Sequence, residues 1–165
     1  MSGPPDILLT NDDGIESPGI RALYDELSAV GDVTVVAPAS NKSAVGRASS
    51  REVRVRETDL GYAIEGTPVD CVVAGIGSLA PDPDLVVAGI NKGANLGMYV
   101  LGRSGTVSAA VEAAFFDVPS IATSLYLPDE KWQRALGKEA FADAARATRH
   151  LVEHAVGSGV FEEAD

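Results

Sequence analysis

Asn11, Asp12 and Asp13 follow the first short apolar run of the chain, Asp6-Ile7-Leu8-Leu9-Thr10, and Gly14 comes directly after them. Two adjacent carboxylates at the tip of a buried strand repel each other and lose solvation, and a divalent cation relieves both penalties. Further polar clusters stand where later strands should end: Asn41, Lys42 and Ser43 after residues 32–37, and Asn91, Lys92 and Asn95 after residues 85–88. Carboxylates joined by a hydroxyl and an amide oxygen form a hard oxygen donor set, which suits Mg²⁺ or Mn²⁺ better than zinc. An ion held by few protein ligands keeps positions open for a phosphate oxygen and an attacking water. Residues 102–106, closing on Ser104, Gly105 and Thr106 at a helix start, add backbone N–H groups that can cradle phosphate oxygens. The combination points to phosphoryl transfer to water.

Each element has a plainer reading. Asn-Asp-Asp-Gly in isolation is commonly just a turn, because all three residue types tolerate tight-turn geometry. The occurrence of three independent polar clusters at matching strand ends argues against that reading. Ser43 alone is an ordinary loop hydroxyl, and Lys92 is as readily a surface charge as a phosphate contact. Gly75-Ile76-Gly77-Ser78-Leu79-Ala80 fits a dinucleotide-binding fingerprint in form, but it ends a helix and precedes Pro81 rather than linking a strand to a helix. His150-Leu151-Val152-Glu153-His154 fits an inverted zinc-peptidase pattern without room for its downstream carboxylate, so a solvated helix face is expected. Gly102-Arg103-Ser104-Gly105 has its second glycine one place too early for a nucleophile elbow.

The elements that must position these residues alternate in type. Residues 6–10 and 32–37 read as buried strands, and Ser17-Pro18 between them starts a helix with Ile20, Leu23, Tyr24 and Leu27 on one face. Residues 52–57 read as an exposed strand, with residues 62–64 as its pairing partner, and Thr67-Pro68-Val69-Asp70 starts a helix reaching about Leu79. Residues 85–88 form the next strand. A loop with five glycines spans residues 89–105, followed by a helix over 107–116, a strand over 120–125 and an amphipathic helix over roughly 130–155. This alternation predicts an α/β fold with a mainly parallel sheet and helices on both faces. Ligands of such sheets bind beyond the carboxyl ends of the strands, where these polar clusters fall.

Bulk properties bound the rest. A chain of 165 residues with 45% hydrophobic content suits one domain over residues 1–165. No apolar run is long enough to span a membrane, and the first residues lack the pattern of a signal peptide, so a cytoplasmic protein is expected. Cys71 is the only cysteine, which leaves no internal disulfide or cysteine metal cage. Twenty-four acidic against thirteen basic residues give a net charge of −11, which argues against duplex nucleic acid and anionic membranes as partners. The same acidic excess would suit a high-salt cytoplasm.

Five blocks of the sequence together resemble the SurE family of stationary-phase survival nucleotidases. They are Ile7-Leu8-Leu9-Thr10-Asn11-Asp12-Asp13-Gly14 with Pro18-Gly19-Ile20, Val36-Ala37-Pro38 with Asn41-Lys42-Ser43, and Gly66-Thr67-Pro68-Val69-Asp70-Cys71. Ala88-Gly89-Ile90-Asn91 with Gly93-Ala94-Asn95-Leu96-Gly97, and Ser104-Gly105-Thr106-Val107-Ser108-Ala109-Ala110, complete the set. The resemblance implies a Rossmann-like core and a metal-dependent 5'- and 3'-nucleotidase that acts on nucleoside monophosphates. It further implies that one divalent ion, Mg or Mn, is held by Asp12, Asp13, Ser43 and Asn91, with Asp12 and Asp13 catalytic and Asp12 orienting the attacking water or taking its proton. Asn11, Gly14, Asn95, Ser104, Gly105 and Thr106 would line the phosphate pocket by the same analogy. Members of the family continue into a C-terminal arm that exchanges between subunits. Here the sequence stops at Asp165, so the arm is expected to be missing and a homo-oligomer, dimer or tetramer, to be weakened. The competing expectations are a receiver-like Mg²⁺-binding signalling domain, which needs a phospho-accepting Asp where this chain has Asn91, and a non-catalytic nucleotide-binding module, which leaves the acidic pair unexplained.

Overall fold

The structure is a computed structural model, and it describes residues 3–80, 82–128 and 135–160. The first βαβ unit comprises β1 (Asp6–Thr10), α1 (Pro18–Leu27) and β2 (Asp32–Pro38). Two short strands, β3 (Val55–Glu57) and β4 (Tyr62–Ile64), precede α2 (Pro68–Ala74), which runs on as a single π-helical turn over Gly75–Leu79. The second half holds β5 (Leu85–Lys92), a short α3 (Met98–Leu101), α4 (Gly105–Ala114), β6 (Ser120–Leu125), a 3-10 turn (Lys138–Phe141) and α5 (Ala142–Ser158).

These strands form one sheet in the order β3-β4-β2-β1-β5-β6, parallel throughout except for the antiparallel β3–β4 pair. The pleat sends successive side chains to opposite faces, so the apolar run of β1 feeds two layers at once. Ile7 and Leu9 pack with Leu23 and Leu27 of α1 and with Phe141, Ala145 and Val152 on the α5 side. Leu8 packs with Val72 of α2 and with Ala109 and Ala113 of α4. Helices therefore cover both faces, as the alternation of elements predicted. The chain leaves β1 toward β2 on one side and returns to β5 on the other, which makes the gap beyond β1 and β5 the switch point of the sheet.

Several boundaries differ from the sequence reading, each for a local reason. β5 continues to Lys92 instead of ending at Ala88. Its ladder with β6 shifts register between Ala88 and Asn91, where Gly89 has φ +149° and the Gly89–Ile90 peptide is cis. A side chain at Gly89 would stand 2.7 Å from the Thr123 carbonyl oxygen, so glycine is what lets the strand continue. The glycine-rich loop contains the extra helical turn α3. The expected strand over 52–57 is only Val55–Glu57. Of the expected helix over 130–155, residues 130–134 fall outside the described residues, residues 135–137 are not helical and α5 begins at Ala142, with Gly137 extended before the 3-10 turn. Ser17 precedes α1 as expected, but its hydroxyl makes no cap bond and instead accepts from the Asn11 side chain at 2.8 Å. Thr67 and Asp70 do form the reciprocal capping box of α2.

Gly19 shows how tightly α1 lies on β5, since a Cβ there would stand 2.3 Å from the Ile90 carbonyl oxygen. Gly19→Ala is therefore expected to cost about 1–3 kcal/mol of stability through forced displacement of backbone. Gly77→Ala, where a Cβ would meet nothing within 4 Å, should instead be neutral or stabilise by up to about 1 kcal/mol. Urea midpoints of the two variants check this contrast, and equal midpoints would contradict the packing described.

Candidate active site

The loop after β1 is shaped from within by Asn11. Its side chain is fully buried, and its Oδ1 accepts the Gly14 N–H at 3.2 Å while its Nδ2 donates to the Gly14 carbonyl at 2.9 Å and to Ser17 Oγ. Gly14 has φ +97°, and the Ile15 N–H reaches the Pro38 carbonyl at 2.9 Å, which ties the loop to the end of β2. Asp12 and Asp13 are carried between these fixed points. The Lys42 N–H donates to the Asp12 carbonyl at 2.7 Å, so the loop after β2 is fastened to the same place.

Asp12 is 3% exposed, and the Thr106 hydroxyl donates to its Oδ1 at 2.6 Å. Burial pushes its carboxyl above the ordinary carboxylate range. The Thr106 bond opposes that shift, and the neighbouring Asp13 charge adds to it. Burial also raises Asp13, against the Lys92 N–H that donates to its Oδ2 at 3.0 Å, the Lys92 charge, and Asn41 Nδ2, which donates to its Oδ1 at 3.1 Å. The first turn of α4 leans directly on this pair. A Cβ on Gly105 would lie 2.7 Å from Asp12 Cβ, so only glycine permits the approach. Ser104 caps α4 by accepting the Val107 N–H at 3.1 Å.

Asp12, Asp13, Ser43, Asn91, Asn95 and Ser104 all line one cavity of about 360 Å³ at the carboxyl ends of β1 and β5. Asn11, Gly14, Gly105 and Thr106 do not line it. They are buried behind it, where they set the loop, the helix approach and the Asp12 hydrogen bond. The cavity also takes in Asn41, Lys92, Tyr99 and Arg103, which were not among the expected site residues. Asn41 and Lys92 belong to the polar clusters at the strand ends, and that position was the available signal. Tyr99 and Arg103 enter because α3 folds the loop back to the rim, which glycine content does not reveal. His150 and His154 lie exposed on α5, with His150 Nδ1 at 3.1 Å from Glu153 Oε2.

The donor chemistry fits a hard cation. Among the described residues no group of three or more His, Cys, Asp or Glu side chains could hold a metal ion. The oxygens at hand belong to two crowded carboxylates, the Ser43 hydroxyl and the Asn91 amide. Asn91 Nδ2 is engaged by the Gly93 carbonyl at 2.7 Å, which leaves Oδ1 as its donor atom for a cation. Asn41 links the set, since its Nδ2 holds Asp13 while its Oδ1 accepts the Ser43 N–H at 2.9 Å.

Without an ion, the acidic pair should weaken the fold. The folded protein holds these two protons more tightly than the unfolded chain does. Metal-free stability therefore falls as pH rises from the ordinary carboxylate range through the raised folded values, and the loss is complete above them. Asp12→Asn removes one of the two charges and keeps an oxygen for Thr106. In chelator its melting temperature at neutral pH should exceed that of the wild type, at about 2–4 °C per kcal/mol for a chain of this size, with the gap closing toward acid pH. A lower melting temperature for the variant at neutral pH would contradict the electrostatic picture.

Comparison with known proteins agrees with the blocks read from the sequence. The family model described as Survival protein SurE matches residues 7–164. A protein of Halobacterium salinarum named 5'-nucleotidase SurE is 63% identical over 161 residues, covering 98% of this chain and 62% of its own length. A protein of the same name from Haloarcula marismortui is 64% identical over 165 residues, covering 98% of this chain and 61% of its own. The crystal structure of the SurE protein from Aquifex aeolicus is similar with a TM-score of 0.82 at 38% identity, covering 93% of this chain and 60% of that one. The chain thus spans a little over three fifths of the length of these relatives. A family match over nearly all residues, with identities above 60% and the same fold, establishes that this chain belongs to the SurE survival-protein family.

Proposed function

We propose that this chain carries the site of a divalent-metal-dependent 5'-nucleotidase, a phosphoric monoester hydrolase that releases phosphate from nucleoside monophosphates, with 3'-nucleotides also accepted. The observation that carries this reading is the meeting of two desolvated carboxylates with the capped N-terminus of α4 at one cavity of the switch point. Relatives named 5'-nucleotidase at more than 60% identity support the substrate class.

Asp12, Asp13, Ser43 and Asn91 would hold one Mg²⁺ or Mn²⁺. When bound, the ion supplies charge neutralisation for the phosphoryl oxygens and a lowered pKa for water. Ser104, which lines the cavity at the N-terminus of α4, would receive a phosphate oxygen in the favourable field of that helix end, and Gly105 keeps the helix end against Asp12. Thr106 fixes the Asp12 carboxylate through Oδ1, so that Asp12 orients a water, takes its proton as the new P–O bond forms, and returns that proton to the nucleoside oxygen as the ester P–O bond breaks. Asn95 donates to Ser124 Oγ at 2.8 Å, which holds the far side of the loop to β6. Lys92 and Arg103 supply local positive charge in a chain whose net charge of −11 would otherwise repel a phosphate ester.

The same reading places the protein in the cytoplasm, where nucleotides are at hand. It also includes self-association through exposed apolar side chains such as Val111, Phe115 and Phe116 at the end of α4. Among the described residues no helix is long and apolar enough to cross a membrane.

The test is phosphate release from a panel of nucleoside monophosphates by residues 1–165 with Mn²⁺ or Mg²⁺, then with chelator, alongside Mn²⁺ calorimetry. Asp12→Asn and Asp13→Asn should each lose activity by on the order of 100-fold or more and lose Mn²⁺ binding, while far-UV circular dichroism is kept. Asn41→Ala, which frees the Ser43 loop from Asp13, should weaken Mn²⁺ binding by about 10-fold. A fully active Asp13→Asn protein would sink the assignment.

A further inference from the structure

We propose that Tyr99, backed by Arg103, is the seat for the nucleobase of the substrate, so that the site selects for the presence of a base rather than for its identity. This rests on the nucleotidase reading and extends it to a part of the site that the metal and phosphate residues do not explain.

Tyr99 is 76% exposed and lines the cavity that holds Asp12 and Asp13. Among the described residues it is the only aromatic side chain in that lining. The Arg103 guanidinium carbon lies 5.5 Å from the ring centroid, within cation–π range, and Arg103 Nη1 donates to the Tyr99 hydroxyl at 3.3 Å. The ring is thus braced, although its exposure leaves surface for a second planar group.

The segment is also held by its own hydrogen bonds and tied to a neighbouring loop at its C-terminal end. Gly97 turns the chain with φ +81°, the Gly102 N–H reaches the Met98 carbonyl at 3.2 Å, and the Ser104 N–H reaches the Val100 carbonyl at 2.9 Å. From the Ser43 loop, the Gly46 N–H donates to the Arg103 carbonyl at 3.0 Å. Tyr99 is therefore connected through α3 to Ser104, and through Arg103 to the loop that carries Ser43, where the phosphate end of a substrate would sit. A cavity of about 360 Å³ falls within the range of roughly 300–1,000 Å³ found for small-ligand pockets.

Stacking suits this chain for an electrostatic reason. A net charge of −11 works against any anionic ligand, whereas contact between a neutral base and an aromatic face costs nothing in that field. Every base has a π-face, so stacking tolerates all of them. A sugar phosphate without a base gains nothing from Tyr99.

The experiment compares kcat/KM for adenosine and cytidine monophosphates with that for ribose 5-phosphate, in wild type, Tyr99→Ala and Tyr99→Phe. Tyr99→Ala should lose about 10-fold on both nucleotides, mostly in KM, with ribose 5-phosphate changed less than about twofold and Tyr99→Phe near wild type. Equal losses on all three substrates, or none on the nucleotides, would overturn the seat. Saturation-transfer NMR with adenosine and with ribose, in chelator, gives a readout independent of turnover. Adenosine should bind to wild type and Tyr99→Phe but not to Tyr99→Ala, and ribose to none. If no ester is hydrolysed while adenosine binding still depends on Tyr99, the nucleotidase reading fails and the base seat stands. Adenosine signals that are absent from the wild type, or the same in wild type and Tyr99→Ala, overturn the seat itself.

Discussion

The site depends on how closely the first turn of α4 approaches the carboxylate at the end of β1. Gly105 leaves no room for a side chain against Asp12 Cβ, and Thr106 from the same turn donates to Asp12 at 2.6 Å. That contact fixes Asp12, places the capped helix N-terminus beside it and excludes most water from the carboxylate. Widening the gap by one methyl group would alter all of these together, because helix and strand are rigid elements in a close-packed interior.

Around this contact, single hydrogen bonds gather the loops that follow the strands. Lys42 ties the loop after β2 to the Asp12 carbonyl, Asn41 carries that loop on to Asp13, and the Lys92 amide brings the end of β5 to the same carboxylate. Asp13 thus serves as the junction of three chain segments as well as a charge in the cavity. This explains how a group with raised proton affinity is kept in place, since its oxygens are held by donors from the loop after β2 and from the end of β5.

Electrostatics and stability pull against each other here. Two adjacent buried carboxylates in a chain of net charge −11 are unfavourable for the fold, and the same crowding is what the proposed hard cation would relieve. The surrounding core carries the stability instead, through two apolar layers fed from alternate residues of the one strand β1.

The sequence alone determined the class of fold and the position of the acidic pair. Alternating apolar runs and capped helix starts are local patterns, and the polar clusters at Asn11 to Asp13, Asn41 to Ser43 and Asn91 to Asn95 stood out because they follow those runs directly. Which of those residues face the cavity was decided only by the tertiary structure. Asn11, Gly14, Gly105 and Thr106 turned out to lie behind it, because their bonds and close approaches involve the loop interior and a helix more than ninety residues away from Asp12. Tyr99 and Arg103 joined it through α3, a four-residue turn too short to leave a periodic signal. The continuation of β5 past Gly89 was hidden for a related reason. A glycine reads as a break until a neighbouring strand, here Thr123 of β6, shows that close packing is what requires it.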